Sequence, residues 1–134
     1  MKIAMKTLMI ALIAFSVNAT TLAAPVIDRT TKEARAAVES ASPDDWYTYA
    51  QAAEKCIEKG VNMKEAAQWI KQSVEVRETT YNMRVLGDYY VANRLPEKAI
   101  EAYSKSIRIG KFQDKKYADK ETQDKVVALV KQIG

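Results

Sequence analysis

The chain has 134 residues, 48% of them hydrophobic and 28% charged, with four Gly and three Pro. This balance is typical of one small globular domain and excludes a disordered tail. Because the chain has no His and a single Cys, the usual metal centres and His-based acid–base catalysis lack the side chains that they require.

The N-terminal segment, residues 1–23, has the order of parts of a secretory signal. Two lysines precede an uncharged apolar stretch over residues 8–17, and small and polar residues follow it. Cleavage after Ala23 is the first choice and cleavage after Ala19 the second. A retained membrane anchor is the alternative, but the apolar stretch is well short of the roughly 20 residues that span a bilayer.

The signal predicts an exported protein, periplasmic or secreted, without an integral membrane span. Its removal takes away Lys2 and Lys6, which lowers the excess of basic over acidic residues from four to two. Charge this mild and evenly mixed argues against nucleic-acid binding. Cys56 has no partner in the chain for a disulfide; we interpret it as a small core residue, with an intermolecular disulfide or a reactive thiol as the alternative.

The remaining chain is predicted to be helical throughout, since its apolar residues recur three and four apart. The predicted helices cover residues 31–41, 43–59, 63–77, 81–93, 96–109 and 117–132. The polar segment 111–116 is expected to be a solvated connector.

The boundaries of the first two helices come from local signals. Thr30, with Glu33 three residues later, is typical of a capping box. Ser42 is the expected cap of the second helix, with Pro43 at its first position. Gly60 is expected to end that helix.

The later boundaries come from signals of the same kind. Asn62 precedes the third helix, and Thr79 or Thr80 is expected to cap the fourth. Pro96 is expected to begin the fifth helix, and Gly110 to end it.

Two stretches of the middle of the chain share one pattern. The second reads Met83-x2-Leu86-Gly87-x2-Tyr90 followed by Ala99-x3-Tyr103, which resembles the tetratricopeptide repeat (TPR) pattern of Trp-x2-Leu-Gly-x2-Tyr and then Ala-x3-Phe. Met83 replaces the Trp, and Lys111 stands where the pattern closes with Pro.

The first stretch is a more divergent copy: Tyr49-x2-Ala52-Ala53-x2-Cys56, then Ala66-x3-Ile70. Ala52 corresponds to Leu86 and Ala66 to Ala99, so the turn between the two helices, at positions 60–62, is longer in the first copy by a single residue. Turns tolerate such insertions at little cost.

The repeated spacing has a physical interpretation. Small residues allow the two helices of each hairpin to approach closely, and larger ones fill the space between layers. The small residues are Ala53, Gly87, Ala66 and Ala99; the larger ones are Tyr90, Tyr103, Ile70, Ile100, Ile107 and Val74. An unrelated helical bundle with small residues at the same crossings is the alternative.

The expected organisation is therefore a signal peptide (1–23), an N-terminal segment with a short helix (24–45), two TPR-like repeats (46–110), and a connector with a C-terminal capping helix (111–134). Two hairpins are few for a stable array. The last helix is expected to cap the second repeat with its stripe of Val126, Leu129, Val130 and Ile133. The N-terminal helix or a second protomer would cover the first repeat.

The resemblance implies an all-α superhelix whose concave face binds a protein or peptide partner, without catalysis, cofactor or metal. By position, the candidate groove residues are Tyr47, Ala50, Glu54, Tyr81, Arg84 and Asp88. Alternatively, Tyr47 and Tyr81 simply pack against the neighbouring hairpin. The pairs Arg84–Asp88 and Glu121–Lys125 are interpreted as surface decoration. The alternative function is a self-assembling structural homo-oligomer, and a small envelope enzyme comes third.

Overall fold

The computed structural model describes residues 26–134. The predicted signal peptide and both of its cleavage positions lie outside this range. The described residues form six α-helices and no strand, which confirms the all-α class. The helices are α1 (Arg29–Glu39), α2 (Trp46–Lys59), α3 (Met63–Val76), α4 (Thr80–Ala92), α5 (Pro96–Gln113) and α6 (Lys120–Ile133).

Three helices begin with the same Asp-x-x-Thr cap. In each, one carboxylate oxygen accepts the backbone N–H of the Thr and the other accepts its hydroxyl: Asp28 with Thr31, Asp45 with Thr48, and Asp119 with Thr122. The caps predicted at Thr30 and Ser42 are therefore wrong. A carboxylate is favoured at a helix N-terminus because it satisfies two donors and complements the helix dipole.

The start of α4 is fixed by Thr79 rather than Thr80. The Thr79 hydroxyl accepts from the backbone N–H of Asn82 at 3.1 Å, and the Asn82 side chain accepts from the backbone N–H of Thr79 at 2.8 Å. This reciprocal pair is a capping box in which Asn takes the place usually held by Glu or Gln.

The two predicted terminal glycines behave differently. Gly60 ends α2 in the left-handed conformation, with φ of 65°, as predicted. The prediction that Gly110 ends its helix is wrong, because α5 continues through Gln113. At Gly110 the Tyr117 ring lies so close that an added Cβ would meet it at 2.3 Å. Gly110 therefore serves close packing inside the helix, and Phe112 projects from the added turn with 93% of its surface exposed.

Consecutive helices pack against one another along the chain. The two most extensive contacts are α4 with α5 and α2 with α3, and α4 also packs against both α2 and α3. On the outside, α1 lies against α2 and α6 lies against α5. We call α2 with α3 the first hairpin and α4 with α5 the second. The first hairpin is thus covered by α1, the N-terminal helix of the same chain.

One hydrogen bond from a serine joins the two helices of each hairpin, and the two bonds lie at equivalent positions. The Ser73 hydroxyl of α3 donates to the backbone carbonyl of Trp46 at 2.6 Å, and the Ser106 hydroxyl of α5 donates to that of Thr80 at 2.7 Å. Both serines are fully buried. These bonds hold the second helix of each hairpin against the first residue of its partner helix.

The core is built from small residues on α2 and larger ones on the helices that cross it. Ala50, Ala53 and Cys56 have no exposed surface, and Ile70 of α3 is equally buried. Burial raises the pKa of the Cys56 thiol, which favours the neutral, unreactive form.

The C-terminal helix is less buried than its apolar stripe predicts. Among the residues of α6, Thr122 alone is fully buried, while Val130 and Ile133 are about half exposed. The helix packs against α5, and Val127, Val130 and Ile133 leave an apolar surface open. No helix within residues 26–134 combines the length and hydrophobicity needed to cross a membrane.

Candidate functional site

An open groove runs between α2 and α6, with α4 as its floor. It arises because α6 packs against α5 and not closely against α4. Its volume is about 530 Å³, and the Tyr103 ring of α5 contributes to its base. The other lining residues are Glu54, Ile57 and Glu58 of α2, Arg84, Asp88, Val91 and Ala92 of α4, and Glu121, Lys125, Ala128 and Leu129 of α6.

Hydrogen bonds and ion pairs cross the groove from α2 to α6. We call the residues that make them the belt: Glu54, Tyr81, Arg84, Asp88, Tyr103, Glu121 and Lys125. On the α2 side, Glu54 accepts from the hydroxyl of Tyr81 and from the guanidinium of Arg84 at 2.8 Å. The Tyr81 ring lies 5.4 Å from the Tyr47 ring and 5.3 Å from the Arg84 guanidinium carbon. These contacts tie α2 to α4.

The belt continues toward α6 through Asp88. This carboxylate accepts from the Tyr103 hydroxyl at 2.6 Å, from Lys125 Nζ at 3.1 Å and from Arg84 at 3.4 Å. Lys125 also forms an ion pair with Glu121 at 3.3 Å. Asp88 therefore joins α4, α5 and α6 at one point.

The surroundings of Tyr81, Tyr103 and Lys125 in the belt raise their pKa values. Burial and the hydrogen bond to Glu54 raise the pKa of Tyr81 far above its usual value, and burial together with Asp88 does the same for Tyr103. Burial opposes the charge of Lys125, but its bonds to Asp88 and Glu121 outweigh this and raise its pKa. Each of these three shifts favours the state that its group already holds at neutral pH, so Tyr81 and Tyr103 stay neutral and Lys125 stays charged there.

Beyond the belt the groove becomes apolar. Ile57 of α2, Val91 of α4 and Leu129 of α6 line this part, and a smaller opening continues from Val91 and Leu129 to Leu95 and Arg94. Val91 is 44% exposed. Ile57, Val91 and Leu129 form an apolar strip beside polar groups that already have partners, and a second molecule can cover this strip without breaking those contacts.

The structure brings together five of the six predicted groove residues. Glu54, Tyr81, Arg84 and Asp88 belong to the belt, and Tyr47 stacks beside it with about half of its surface exposed. Ala50 is fully buried; it lies on the core side of α2 and offers no surface to a ligand. The polar groups of Tyr81, Arg84 and Asp88 are engaged in contacts within the chain, in keeping with the packing alternative for Tyr81.

The sequence reasoning missed the contribution of the last helix. Lys125, Glu121 and Leu129 line the groove. From the sequence, Glu121 and Lys125 were interpreted as an ion pair on the helix surface, and Leu129 as part of a helix that caps the second repeat. The available signal was the spacing of Glu121 and Lys125 on one helix face. It does not reveal that Lys125 reaches Asp88, 37 residues earlier in the chain.

Comparisons with protein-family models, with curated proteins and with solved structures give no match for this chain. In the part of the chain that the structure describes, no three His, Cys, Asp or Glu side chains are grouped so as to hold a metal ion.

Proposed function

We propose that the chain is an exported, TPR-like interaction module that binds a peptide or partner helix in the groove between α2, α4 and α6, without catalysis. The observation that carries this proposal is the open apolar strip of Ile57, Val91 and Leu129 next to the fixed belt. Peptide-binding grooves combine apolar anchor sites with a few polar groups that fix orientation.

The TPR-like arrangement is supported by correspondences between the two hairpins. The first helices begin at Trp46 and Thr80 and the second helices at Met63 and Pro96, so the repeat of about 33 or 34 residues is kept. The prediction of a longer first turn is wrong: each turn has three residues, and the extra residue of the first hairpin lies in α2, which is one residue longer than α4. The hydroxyl bonds of Ser73 and Ser106 recur at equivalent positions. In such an array the first helices of successive hairpins form one face, and α2 and α4 supply the wall and the floor of the groove.

The dimensions favour a short helix or an extended segment as the occupant. Along α4 the groove runs from Arg84 to Ala92, which is roughly 12 Å at 1.5 Å per residue. This length accepts about two turns of a partner helix, or about four extended residues.

The proposal is tested by substitutions on the apolar strip, since changes at Arg84 or Asp88 would also break the belt. Val91→Asp puts a charge in the groove, and Val127→Asp makes the same change at a similarly exposed position of α6 outside it. Both variants should fold, as circular dichroism can verify. A photo-activated cross-linker placed at position 91 should capture a partner in the envelope of the producing cell, whereas one at position 127 should not.

Capture of the same partner from both positions, or co-purification that survives Val91→Asp and is lost with Val127→Asp, would contradict the groove. The result would then favour the outer face of α6.

That outer face supports a second candidate function, self-assembly. Val127, Val130 and Ile133 of α6 are each about half exposed, and exposed apolar stripes on helices commonly pair with a second copy. Light scattering on the protein without residues 1–23 tests this: a monomer at high concentration removes the candidate, and a dimer that Val130→Asp dissociates supports it.

A further inference from the structure

The charges that line the groove are unbalanced. Four carboxylates face two cations there: Glu54, Glu58, Asp88 and Glu121 against Arg84 and Lys125. The chain as a whole carries an excess of basic residues. The groove is therefore a locally acidic surface on a basic protein, and long-range attraction alone would not bring cations to this protein.

Both cations of the groove already have partners. Arg84 bonds to Glu54 and Asp88, and Lys125 bonds to Asp88 and Glu121. Their side chains are only 26% and 33% exposed. An anionic ligand could reach them only by displacing these carboxylates, which would leave the partly buried Glu54 and Asp88 without a cationic partner.

The outer carboxylates are the groups that a ligand meets. The Glu121 side chain is 76% exposed although it pairs with Lys125. Glu58 is exposed and makes no ion pair with any residue from 26 to 134. Glu58 lies on the α2 wall next to Ile57 of the apolar strip, and Glu121 lies on the α6 wall at the belt end of the groove, so each wall carries an exposed carboxylate.

We propose that the occupant of the groove is a cationic amphipathic segment of a partner protein, in which Lys or Arg residues flank an apolar anchor. The inference rests on the proposed function, since it names the chemistry of the partner for the same groove. The anchor covers Val91 and Leu129, and the cations pair with Glu58 and Glu121. Complementary charge at the rim supplies specificity and register, while the apolar strip supplies most of the affinity.

Three synthetic peptides test the charge preference. Each is a labelled helix of about 14 residues with leucines at the same i, i+3, i+4 and i+7 positions; the flanking positions hold Lys in the first, Gln in the second and Glu in the third. Fluorescence anisotropy with the protein lacking residues 1–23, at about 0.15 M ionic strength, measures each Kd. We expect the Lys peptide to bind about fivefold or more tightly than the Gln peptide, and the Glu peptide to bind weakest.

A matched pair of charge variants locates the effect. Glu58→Gln should weaken binding of the Lys peptide about threefold to fivefold and leave the Gln peptide unaffected. Glu75→Gln removes an exposed carboxylate of α3 that does not line the groove, and it should change neither Kd. Val91→Ser should weaken both peptides, and Val127→Ser neither.

The outcomes separate the two proposals. Equal binding of the Lys and Glu peptides, or loss that follows Glu75→Gln as much as Glu58→Gln, overturns the cationic partner and leaves the groove intact. If the Lys peptide does not bind while a cross-linker at position 91 still captures a cellular partner, the cationic partner is likewise overturned and the groove is left intact. If Val91→Ser leaves the Kd of the Lys peptide unchanged, the groove itself is overturned.

Discussion

The two hairpins place different residues at equivalent crossings. In the first, Ala53 of α2 and Ile70 of α3 are both fully buried. In the second, the corresponding positions are Gly87 of α4 and Tyr103 of α5, and the ring packs so closely on the helix that an added Cβ at Gly87 would meet it at 2.3 Å. The first crossing pairs a methyl group with an aliphatic side chain, and the second pairs a glycine, which has no side chain, with an aromatic ring.

The comparison teaches that such a crossing is specified by the pair rather than by either residue. A larger side chain on one helix requires a smaller one on the other, because protein interiors are close-packed. The aromatic version adds something that the aliphatic one cannot: its hydroxyl donates to Asp88 and so connects the crossing to the belt and to α6. The second crossing supports the groove, and the first is a purely apolar contact.

The largest effect is expected from removing the two large partners. Tyr103→Ala should lower the free energy of unfolding by about 3–5 kcal/mol and Ile70→Ala by about 2–5 kcal/mol, as cavities left by buried side chains do. Urea denaturation measures both. Only Tyr103→Ala should also weaken capture by a cross-linker at position 91, because it removes one contact of Asp88. Equal effects of the two variants on capture would contradict the link between crossing and groove.

Exchanging the small partners should have a smaller effect. Gly87→Ala should destabilise the protein by about 1–3 kcal/mol through overpacking against the buried Tyr103 ring, and Ala53→Gly by about 1 kcal/mol through helix propensity. The double variant Gly87→Ala with Tyr103→Ile reproduces the first crossing in the second hairpin. Its unfolding free energy should exceed the additive expectation by about 1 kcal/mol; strict additivity would show that the two positions do not share the space.

The matched serines should differ by one hydrogen bond. Ser106 donates only to the Thr80 carbonyl, whereas Ser73 donates to Trp46 and also accepts from the Asn82 side chain at 3.0 Å. Ser106→Ala should cost about 1 kcal/mol and Ser73→Ala about 2 kcal/mol in unfolding free energy. Thermal unfolding followed by circular dichroism provides the measurement. An equal cost would mean that the Asn82 bond between the hairpins contributes nothing.

The smallest effect is confined to alkaline pH and to the belt. The pKa values of Tyr81 and Tyr103 are raised in the folded protein above the unfolded value of about 10. The folded state therefore binds more protons than the unfolded state once pH exceeds that value, so this stabilisation is complete below it and is lost as pH rises through the folded pKa values.

Tyr81→Phe and Tyr103→Phe should each flatten the fall of unfolding free energy measured between about pH 9 and pH 11.5. Below that interval the variants should show no pH-dependent difference from the parent protein. A slope unchanged by both variants would contradict the assigned hydrogen bonds to Glu54 and Asp88.

Local sequence signals predicted much of the fold, because they act over a few residues. The Gly60 stop, the Pro96 start and the Thr79 cap each depend on neighbouring backbone groups. The failures have the same cause. Gly110 is a good stop signal by local criteria. In the structure, however, the Tyr117 ring fills the space that a side chain at position 110 would occupy, and α5 continues.

Three of the twelve residues that line the groove, Glu54, Arg84 and Asp88, were predicted by their position on the first helices of the hairpins. These three follow from helix periodicity and from the alignment of the two hairpins, which did not predict Ile57 and Val91 farther along the same helices. The lining residues on α6 do not follow from them either, because that helix follows a longer α5 at a different spacing, and only packing sets where it lies.

By itself the sequence determined the all-α class, most helix boundaries, and the small residues that open the crossings, since these depend on periodicity, capping and side-chain volume along one chain. The tertiary structure alone decided which polar groups of different helices meet. Asp88 joins Tyr103 and Lys125 from two other helices, and α6 stands away from α4 to leave an acidic, apolar groove. Such meetings depend on the relative placement of whole helices, and that placement is the joint result of every contact in the core.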